Sequence, residues 1–236
     1  MSGLPLVALV GNPNAGKSAL FNALTGARQK LGNYPGVTVE RKAGRLSLAD
    51  GRPVELVDLP GTYSLSPASP DEQVTRDFVL GKQAGEKLPD ALVIVVDASN
   101  LDNHLRFALE LIALGLPTVV ALNMVDLATR DGLELDANIL SRELGVPVVS
   151  TVAVQRHGAR DLVAMLDALP ANPQPPTVSL ARGGELDSDL LHAETRRLLS
   201  LAVAPPPDAA AFAIASLNEM EPGTVVPKMK GWSLPS

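Results

Sequence analysis

The sequence predicts an α/β fold in which helices cover a mostly parallel β-sheet with one antiparallel edge strand. Three observations support this prediction. Short apolar runs of strand length alternate along the chain with stretches of helical periodicity. Most of these runs are continuously apolar, which is typical of strands buried on both faces. One Asp50-Gly51 pair joins two strand-like runs, which predicts a hairpin and hence the antiparallel strand.

The predicted elements follow each other in a regular order. Strands are expected at 4–10, 39–48, 52–57, 91–96, 118–122 and 146–149, and helices at 19–25, 103–114, 136–144 and 160–169, with one more helix starting near residue 69. Ser69 can cap that helix, with Pro70 at its first position and Glu72 completing a capping box. Gly145 is expected to end the helix that precedes it.

The character of the sequence changes after residue 169. The prolines of 170–176 predict a stiff, extended linker. We therefore expect three parts, which are a main domain at 1–169, the linker at 170–176, and a partial helical appendage with a tail at 177–236. Helical periodicity at 187–203 supports the appendage, and 209–219 is the last stretch with a helical pattern.

Length and composition limit the classes of protein to consider. The chain has 236 residues, 46% of them hydrophobic, which is enough for one α/β domain and a small appendage. Its formal net charge of −6 disfavours a nucleic-acid-binding surface, which normally carries a basic patch. The absence of cysteine excludes disulfides and thiolate metal sites. Without a signal sequence or an apolar stretch of about 20 residues, we expect a soluble cytoplasmic chain without direct membrane insertion.

The octet GNPNAGKS, residues 11–18, lies between the first predicted strand and helix, which is the setting of a phosphate-binding P-loop. Its glycines allow backbone N–H groups and the positive end of the helix to converge on a β-phosphate. Lys17 would add a charge across the β- and γ-phosphates, and the Ser18 hydroxyl would be a ligand for Mg²⁺. A glycine-rich turn with a surface lysine is the alternative interpretation of the octet alone.

Two further motifs each end a predicted strand. In Asp58-Leu-Pro-Gly61, the carboxylate would hold Mg²⁺ through water, and the glycine N–H would face the γ-phosphate. In Asn123-Met-Val-Asp126, the carboxylate can accept the N1–H and 2-amino donors of guanine, which adenine lacks. Each motif alone also fits an ordinary loop or a helix-capping turn. Their order and spacing after the P-loop predict a guanine nucleotide site.

Between the first two motifs lies a Gly- and Pro-punctuated loop, LGNYPGVTVERK, residues 31–42. Its Thr38 hydroxyl is expected to complete the Mg²⁺ shell only when a γ-phosphate is present. The combination of GNPNAGKSALFNALTG, GNYPGVTVERK, VDLPGTYSL and NMVD resembles the cytoplasmic N-terminal GTPase domain of the bacterial ferrous iron transport protein B (FeoB) family, over residues 4–169. The resemblance implies a Ras-like P-loop GTPase fold.

The resemblance also implies a set of site residues. The nucleotide would be bound by Gly11, Asn12, Pro13, Asn14, Ala15, Gly16, Lys17, Ser18, Ala19, Gly36, Val37, Thr38, Asp58, Gly61, Asn123, Met124, Asp126, Thr151, Val152 and Ala153. Mg²⁺ would be held by Ser18, Thr38 and Asp58, and the catalytic roles would fall to Asn14, Lys17, Thr38 and Gly61. Resemblance to potassium-activated GTPases suggests a K⁺ ion held by Asn14, Gly32 and Asn33. A turn-stabilising role is the alternative for Asn14.

Three positions depart from the general GTPase pattern. Met124 replaces the usual lysine of the guanine motif, but its unbranched thioether can pack on a base, and FeoB-like sequences share it. Thr62 stands where Ras-like proteins keep the glutamine that orients the attacking water, so hydrolysis by the chain alone is expected to be slow. Val152 stands where serine is common in the base-contacting loop, which affects nucleotide release more than specificity.

The leading functional hypothesis is a GTP-hydrolysing switch that regulates ferrous iron uptake. Its partner would be a membrane permease portion outside this chain, which places the domain at the cytoplasmic face of the inner membrane. In FeoB-like proteins a small helical domain follows the GTPase domain and packs on it, and 187–203 resembles part of that segment. The alternatives are a GTPase of ribosome assembly or tRNA modification, and a GTP-sensing module with negligible turnover. We expect no iron site at His104, His157 or His192, which lack ligand spacing.

Overall fold

The structure is a computed structural model of the chain, and it describes residues 5–26, 29–152, 159–169, 181–182 and 185–204. The chain divides into two units, residues 1–204 and 205–236, and all described residues belong to the first. The linker expected at 170–176 and the helical pattern at 209–219 lie outside the described residues. The domain boundary after residue 169 therefore stays a prediction.

Strands and helices alternate in the described part of the chain. In chain order they are β1 (Leu6–Gly11), α1 (Lys17–Thr25), β2 (Gln29–Asn33), β3 (Glu40–Ser47), β4 (Pro53–Asp58), α2 (Pro70–Val79), β5 (Ala91–Asp97), α3 (Leu101–Ile112), β6 (Thr118–Asn123), α4 (Val125–Arg130), β7 (Glu134–Leu135), α5 (Ala137–Leu144), β8 (Val148–Ser150), α6 (Arg160–Asp167), β9 (Ala181–Arg182), β10 (Glu185–Leu186), α7 (Ser188–Ala202) and β11 (Val203–Ala204). Every strand and helix predicted between residues 4 and 203 is present, with small shifts at the ends. None of the described helices is both long and apolar enough to cross a bilayer.

Within the described residues, seven strands form one sheet in the order β2-β3-β4-β1-β5-β6-β8. Strand β3 pairs antiparallel with both β2 and β4, and the other neighbours pair in parallel. The predicted mostly parallel sheet with one reversed strand is confirmed, but that strand does not lie at the edge, because β2 flanks it. All five residues of β2, QKLGN, are exposed. They lack an apolar pattern, so nothing in the sequence signals this main-chain pairing.

Apolar residues fill both sides of the sheet. In β1, Ala8 and Val10 face the cluster that includes α2, α3, α5 and α7, and Val7 and Leu9 face the cluster that includes α1 and α6. The central strands are therefore buried on both faces, as their continuously apolar runs predict. Helix α7 contributes its buried apolar residues to the first cluster. These are Leu191, Leu198 and Ala202.

The predicted helix caps hold α2 and α5 in place. The Ser69 hydroxyl accepts the Glu72 N–H at 3.3 Å, and Pro70 occupies the first helical position. The Glu72 carboxylate accepts the N–H of Ala68 at 2.7 Å, one residue before the cap. Asp136 caps α5, and Gly145 ends it in the left-handed conformation. Helix α2 therefore starts at a fixed point after the loop that follows Asp58.

Candidate nucleotide-binding site

The loop of residues 11–18 connects the carboxyl end of β1, a central strand, to the start of α1. Gly11 lies against β5 so closely that a Cβ atom there would meet the Val95 carbonyl oxygen at 2.4 Å. Asn14 and Gly16 adopt left-handed conformations, with φ of 63° and 85°. These two residues curl the backbone, and the loop lies at the carboxyl edge of the parallel strands, where α/β sheets bind ligands.

Lys17 brings a buried positive charge to this loop. It is 8% exposed, and its ammonium lies 3.4 Å from the Asn12 carbonyl oxygen. Burial lowers the pKa of Lys17, and the nearby Asp58 carboxylate only partly opposes this shift. Asn12 is itself buried and donates to the Asn103 carbonyl oxygen at 3.3 Å. A desolvated ammonium with one main-chain acceptor is suited to binding an anion such as phosphate.

Ser18 and Asp58 provide oxygen atoms beside this ammonium. The Ser18 hydroxyl donates to Asp58 Oδ2 at 3.2 Å. Asp58 Oδ1 is buried and has no hydrogen-bond partner among the described residues. Burial raises the pKa of Asp58 above its ordinary value, and the opposing effects of Lys17 and Ser18 only partly offset this shift. An orphaned carboxylate oxygen next to a hydroxyl is a donor set suited to Mg²⁺, so these residues fit the predicted ion.

A cleft of about 230 Å³ opens at this point. Its lining residues are Lys17, Ser18, Val39, Glu40, Lys42, Asp58, Leu59, Pro60, Gly61 and Asp71. A Cβ atom on Gly61 would lie 2.9 Å from the Pro13 backbone and 3.2 Å from Lys17 Nζ. The Thr62 N–H donates to the Gly11 carbonyl oxygen at 3.3 Å, which ties the loop after Asp58 to the P-loop. Position 61 must be glycine, because any side chain there would clash with the Pro13 backbone.

Three charged residues of the cleft were not predicted as site residues. Glu40 and Lys42 form an ion pair of 3.3 Å, and Lys42 lies opposite Asp58 in the β3–β4 register. Glu40 and Lys42 are two positions apart in a strand, so their side chains share one face. This spacing in the sequence could have predicted that both lie in the cleft. Asp71 lies in the first turn of α2, and its role in the cleft has no comparable sequence signal.

Asn123 joins three of the predicted motifs. Its side-chain amide donates to the Ala15 carbonyl oxygen at 3.1 Å, and its Oδ1 atom accepts the Thr151 hydroxyl at 3.2 Å. A Cβ atom on Gly16 would lie 2.3 Å from Asn123 Nδ2. Asn123 and Thr151 are both buried. The P-loop, the end of β6 and the end of β8 are therefore fixed relative to one another before any ligand binds.

The other residues expected to contact the base belong to the guanine motif and to the loop after β8. Met124 adopts a left-handed conformation at the start of α4, and its methyl group would meet a Cβ atom on Gly16 at 3.0 Å. Asp126 is exposed in the first turn of α4. Val152 is half-buried, and Ala153 lies outside the described residues. The guanine contacts of these residues stay a prediction.

The switch segment, residues 31–42, contains both exposed residues and residues that line the cleft. Gly36, Val37 and Thr38 are exposed, and Thr38 is not among the residues that line the cleft. Gly32 and Asn33 belong to β2, three strands away from β1, which corresponds to about 14 Å. Val39 and Glu40, which follow Thr38, do line the cleft beside Ser18 and Asp58. The roles expected of Thr38, Gly32 and Asn33 in metal binding stay predictions.

One aromatic residue anchors the switch segment. Tyr34 is 1% exposed and packs edge-on against Phe78 of α2, with 6.1 Å between ring centroids. Its hydroxyl is buried without a hydrogen-bond partner among the described residues, and burial raises the pKa of Tyr34. Nearby, Arg41 pairs with Glu86 and with Glu55. The sequence does not signal this anchor, because an isolated tyrosine has no periodic pattern.

Thr62 and His104 have structural partners. Thr62 is buried, and its hydroxyl donates to the Ser64 carbonyl oxygen at 3.0 Å, so it does not replace a water-orienting glutamine. His104 Nδ1 accepts the Asp97 N–H at 3.2 Å, and burial lowers the pKa of His104. Among the described residues, no group of three or more histidine and carboxylate side chains could hold a metal ion.

Comparison with known proteins places this site in context. A family model described as "Ferrous iron transport protein B" matches residues 6–166. The Fe(2+) transporter FeoB of Shigella flexneri is 47% identical over 170 residues, which are 70% of this chain and 21% of that protein. The chain thus spans about a fifth of the length of this curated relative.

Solved structures share the fold. The cytosolic domain of L. pneumophila FeoB has a TM-score of 0.74 and 32% identity, and the match covers 85% of this chain and all of that one. The cytosolic domain of T. maritima FeoB in a GMPPNP form has a TM-score of 0.74 and 27% identity, with coverage of 86% and 100%. The predicted Ras-like α/β fold is confirmed by these similarities.

Proposed function

This chain belongs to the ferrous iron transport protein B family, and from that membership we propose that it binds and hydrolyses GTP as the switch domain of a ferrous iron transporter. The observation that carries the proposal is the set of contacts made by Asn123, which connects the P-loop, the guanine motif and Thr151. The relatives and solved structures described above are FeoB proteins. They favour this function over a role in ribosome assembly or tRNA modification.

The P-loop residues would bind the phosphates. The loop of residues 11–18 leads directly into the start of α1, where the helix end stabilises negative charge. Lys17 is buried beside this loop and would pair with the β- and γ-phosphates. Phosphate binding would compensate the desolvation that lowers the pKa of this ammonium.

Ser18 and Asp58 would hold Mg²⁺, Ser18 directly and Asp58 through water. When bound, the ion would neutralise charge that develops between the β- and γ-phosphates. The unpaired Asp58 Oδ1 supports this role. Thr38, which is exposed, would join them when the γ-phosphate is bound.

Asp126 and Asn123 would select guanine. The exposed Asp126 carboxylate can accept two hydrogen bonds from the base. Asn123 fixes the guanine motif against the P-loop through its bond to the Ala15 carbonyl oxygen. Met124 would pack its thioether on the base next to Gly16. An adenine base would leave this carboxylate without partners, so ATP should bind weakly.

Hydrolysis would be slow without an added positive charge. Thr62 is committed to its own loop, so Gly61 and Lys17 are the groups of this chain that would face the γ-phosphate. A K⁺ ion held by Asn14 with carbonyl groups of the switch segment would supply the missing charge. Gly32 and Asn33, which pair with Arg41 and Glu40 of β3, would contribute these carbonyl groups.

The transport role depends on a membrane permease portion outside this chain. The relative from Shigella flexneri is named as an Fe(2+) transporter, and this chain matches about a fifth of its length. We infer that the domain acts at the cytoplasmic face of the membrane, where GTP is available.

Calorimetric titration with GTP, GDP and ATP tests the proposed binding, and single-turnover hydrolysis in KCl tests the enzyme. We expect binding of both guanine nucleotides with Mg²⁺ and at least about 100-fold weaker binding of ATP. Equal affinities for ATP and GTP would contradict the guanine assignment. Tight GTP binding without turnover in either KCl or NaCl would instead indicate the GTP-sensing module.

A further inference from the structure

Thr75, on α2, makes a hydrogen bond unlike those of the other threonines in the described helices. In α1, α4 and α7, each threonine hydroxyl donates to the carbonyl oxygen four positions earlier in its own helix, as helical threonines commonly do. The Thr75 hydroxyl instead donates to the carbonyl oxygen of Pro60, 15 positions earlier, at 2.7 Å. Thr75 is fully buried. Its hydroxyl therefore serves the loop after Asp58 and not its own helix.

This bond fixes the peptide group that joins Pro60 to Gly61. Helix α2 is capped by Ser69 and buries Phe78 in the core, so Thr75 has a fixed position. The peptide bond is trans, and in a planar trans peptide the C=O and N–H groups point in opposite directions. Because the Pro60 carbonyl points to Thr75, the Gly61 N–H points away from it. One side-chain hydroxyl thus sets the direction of a main-chain donor at the cleft.

The Gly61 N–H differs from the N–H groups on either side of it. The Leu59 N–H donates to the Leu9 carbonyl oxygen at 3.0 Å, and the Thr62 N–H donates to the Gly11 carbonyl oxygen at 3.3 Å. Among the described residues, the Gly61 N–H has no acceptor. Gly61 itself lines the cleft. A main-chain donor that is held in place without a partner is suited to an oxygen atom of a bound anion.

We propose that Thr75 is a positioning residue, which holds the Pro60 carbonyl so that the Gly61 N–H is directed at an oxygen of the γ-phosphate. The inference rests on the proposed function, because GTP supplies that oxygen. Thr75 does not touch the nucleotide in this proposal and acts through the peptide group alone. GDP lacks the γ-phosphate, so Thr75 contributes to GTP affinity and to hydrolysis but not to GDP affinity.

Thr75→Val tests the proposal, because valine keeps the shape of the side chain and removes the donor. Calorimetry with Mg²⁺ should show affinity for a non-hydrolysable GTP analogue about tenfold lower, with GDP affinity within about twofold of the unmodified chain. Single-turnover hydrolysis at saturating GTP should fall about tenfold, since the donor to the γ-phosphate is less well oriented. An unchanged ratio of the two affinities would overturn the proposal.

Two further variants separate positioning from stability. Thr75→Ser keeps the hydroxyl and should hold the ratio of affinities within about twofold of the unmodified chain. Thr118→Val is the matched control, because Thr118 is also buried and donates its hydroxyl to the Leu116 carbonyl oxygen at 2.8 Å, at the start of β6. It should lower the free energy of unfolding and leave the ratio unchanged. An equal change of the ratio in Thr118→Val and Thr75→Val would overturn the assignment.

Nuclear magnetic resonance of the Gly61 amide gives a measurement that does not depend on how well Thr75→Val folds. In the unmodified chain and in Thr75→Ser, this amide proton should shift more with the GTP analogue than with GDP, and equal shifts would overturn the proposal. If the unmodified chain bound neither nucleotide, the proposed function would fail. The Pro60 carbonyl carbon of the nucleotide-free chain would then decide the positioning role, since its resonance should move in Thr75→Val and not in Thr118→Val.

Discussion

Two parts of the candidate site differ in how much of their structure exists before a ligand binds. The base-and-phosphate side, residues 11–18, 123–126 and 151, is held together by the buried Asn123 and by close backbone contacts. The switch segment, residues 31–42, starts in the edge strand β2, has Thr38 exposed, and reaches the cleft only at its far end. A preassembled recognition side gives affinity without reorganisation. A separate segment that must move can report whether the γ-phosphate is present.

The largest effect is expected from Asp126→Asn, which changes the preassembled side alone. The carboxylate would accept two guanine donors, so its loss should weaken GTP binding by about 3 kcal/mol, or roughly 100-fold. Xanthosine triphosphate, whose 2-oxo group accepts a hydrogen bond, should partly recover affinity. Calorimetry with both nucleotides measures this. Asp131→Asn, at the other end of α4, is the matched control, and unchanged GTP affinity in Asp126→Asn would contradict the guanine assignment.

Thr38→Ala should affect the switch segment alone. GDP affinity should stay within about twofold, because Thr38 is not among the residues that line the cleft. Single-turnover hydrolysis should fall about 30-fold, since a ligand that acts only with the γ-phosphate is lost. Limited proteolysis within residues 31–37 should be slower with a non-hydrolysable GTP analogue than with GDP. Equal proteolysis rates would show that the segment does not switch.

The potassium hypothesis joins the two sides, because Asn14 belongs to one and Gly32 to the other. If GTP brings them together around K⁺, hydrolysis should be about tenfold faster in KCl than in NaCl at equal ionic strength. Asn14→Ala should lower the KCl rate towards the NaCl rate and leave GTP affinity nearly unchanged. Equal turnover of the unmodified chain in both salts would remove the cation hypothesis and restore a turn role for Asn14.

The same contrast explains what could be predicted from the sequence. The P-loop, the Asp58 motif and the guanine motif follow apolar strands, so their placement at one sheet edge follows from local pattern and parallel topology. Caps such as Ser69 and Gly145 also depend on neighbouring residues only. These local rules account for most of the fold and for the preassembled side of the site.

The rest depends on contacts between residues far apart in the chain. The Asn123–Ala15 bond spans 108 positions, and the Leu65–Glu110 bond spans 45. Helix α4 was not predicted because it is short and starts from the left-handed Met124. Strand β2 was not predicted because its residues are exposed and polar. No periodicity in the sequence reveals main-chain pairing or a buried polar partner of this kind.

Tyr34→Phe should have a smaller effect, on the stability of the switch segment. The Tyr34 hydroxyl is buried without a partner in the described structure, so its removal should stabilise the nucleotide-free chain by about 1 kcal/mol. Denaturant unfolding measures this, with Tyr63→Phe, at an exposed tyrosine, as the control. If the hydroxyl finds a partner when GTP moves the switch segment, the stabilisation should vanish with the GTP analogue. A loss of stability without nucleotide would show that the hydroxyl is bonded in the resting state.

The smallest effect concerns His104 of α3, which lies near Lys17 of the preassembled side, and it depends on pH. His104 accepts the Asp97 N–H through Nδ1, so protonation would break this bond and place a second positive charge near Lys17. Burial lowers the pKa of His104 in the folded chain below its value of about 6.5 in the unfolded chain. The neutral ring therefore favours the folded state, and stability should be full above pH 6.5 and fall as the pH drops from there to the folded pKa.

Unfolding free energies between pH 5 and pH 8 should show this loss in the unmodified chain, and His104→Asn, which keeps an acceptor and cannot titrate, should show less of it. A stability that falls equally in both proteins would assign the pH dependence to other groups, such as carboxylates, and leave His104 a packing residue.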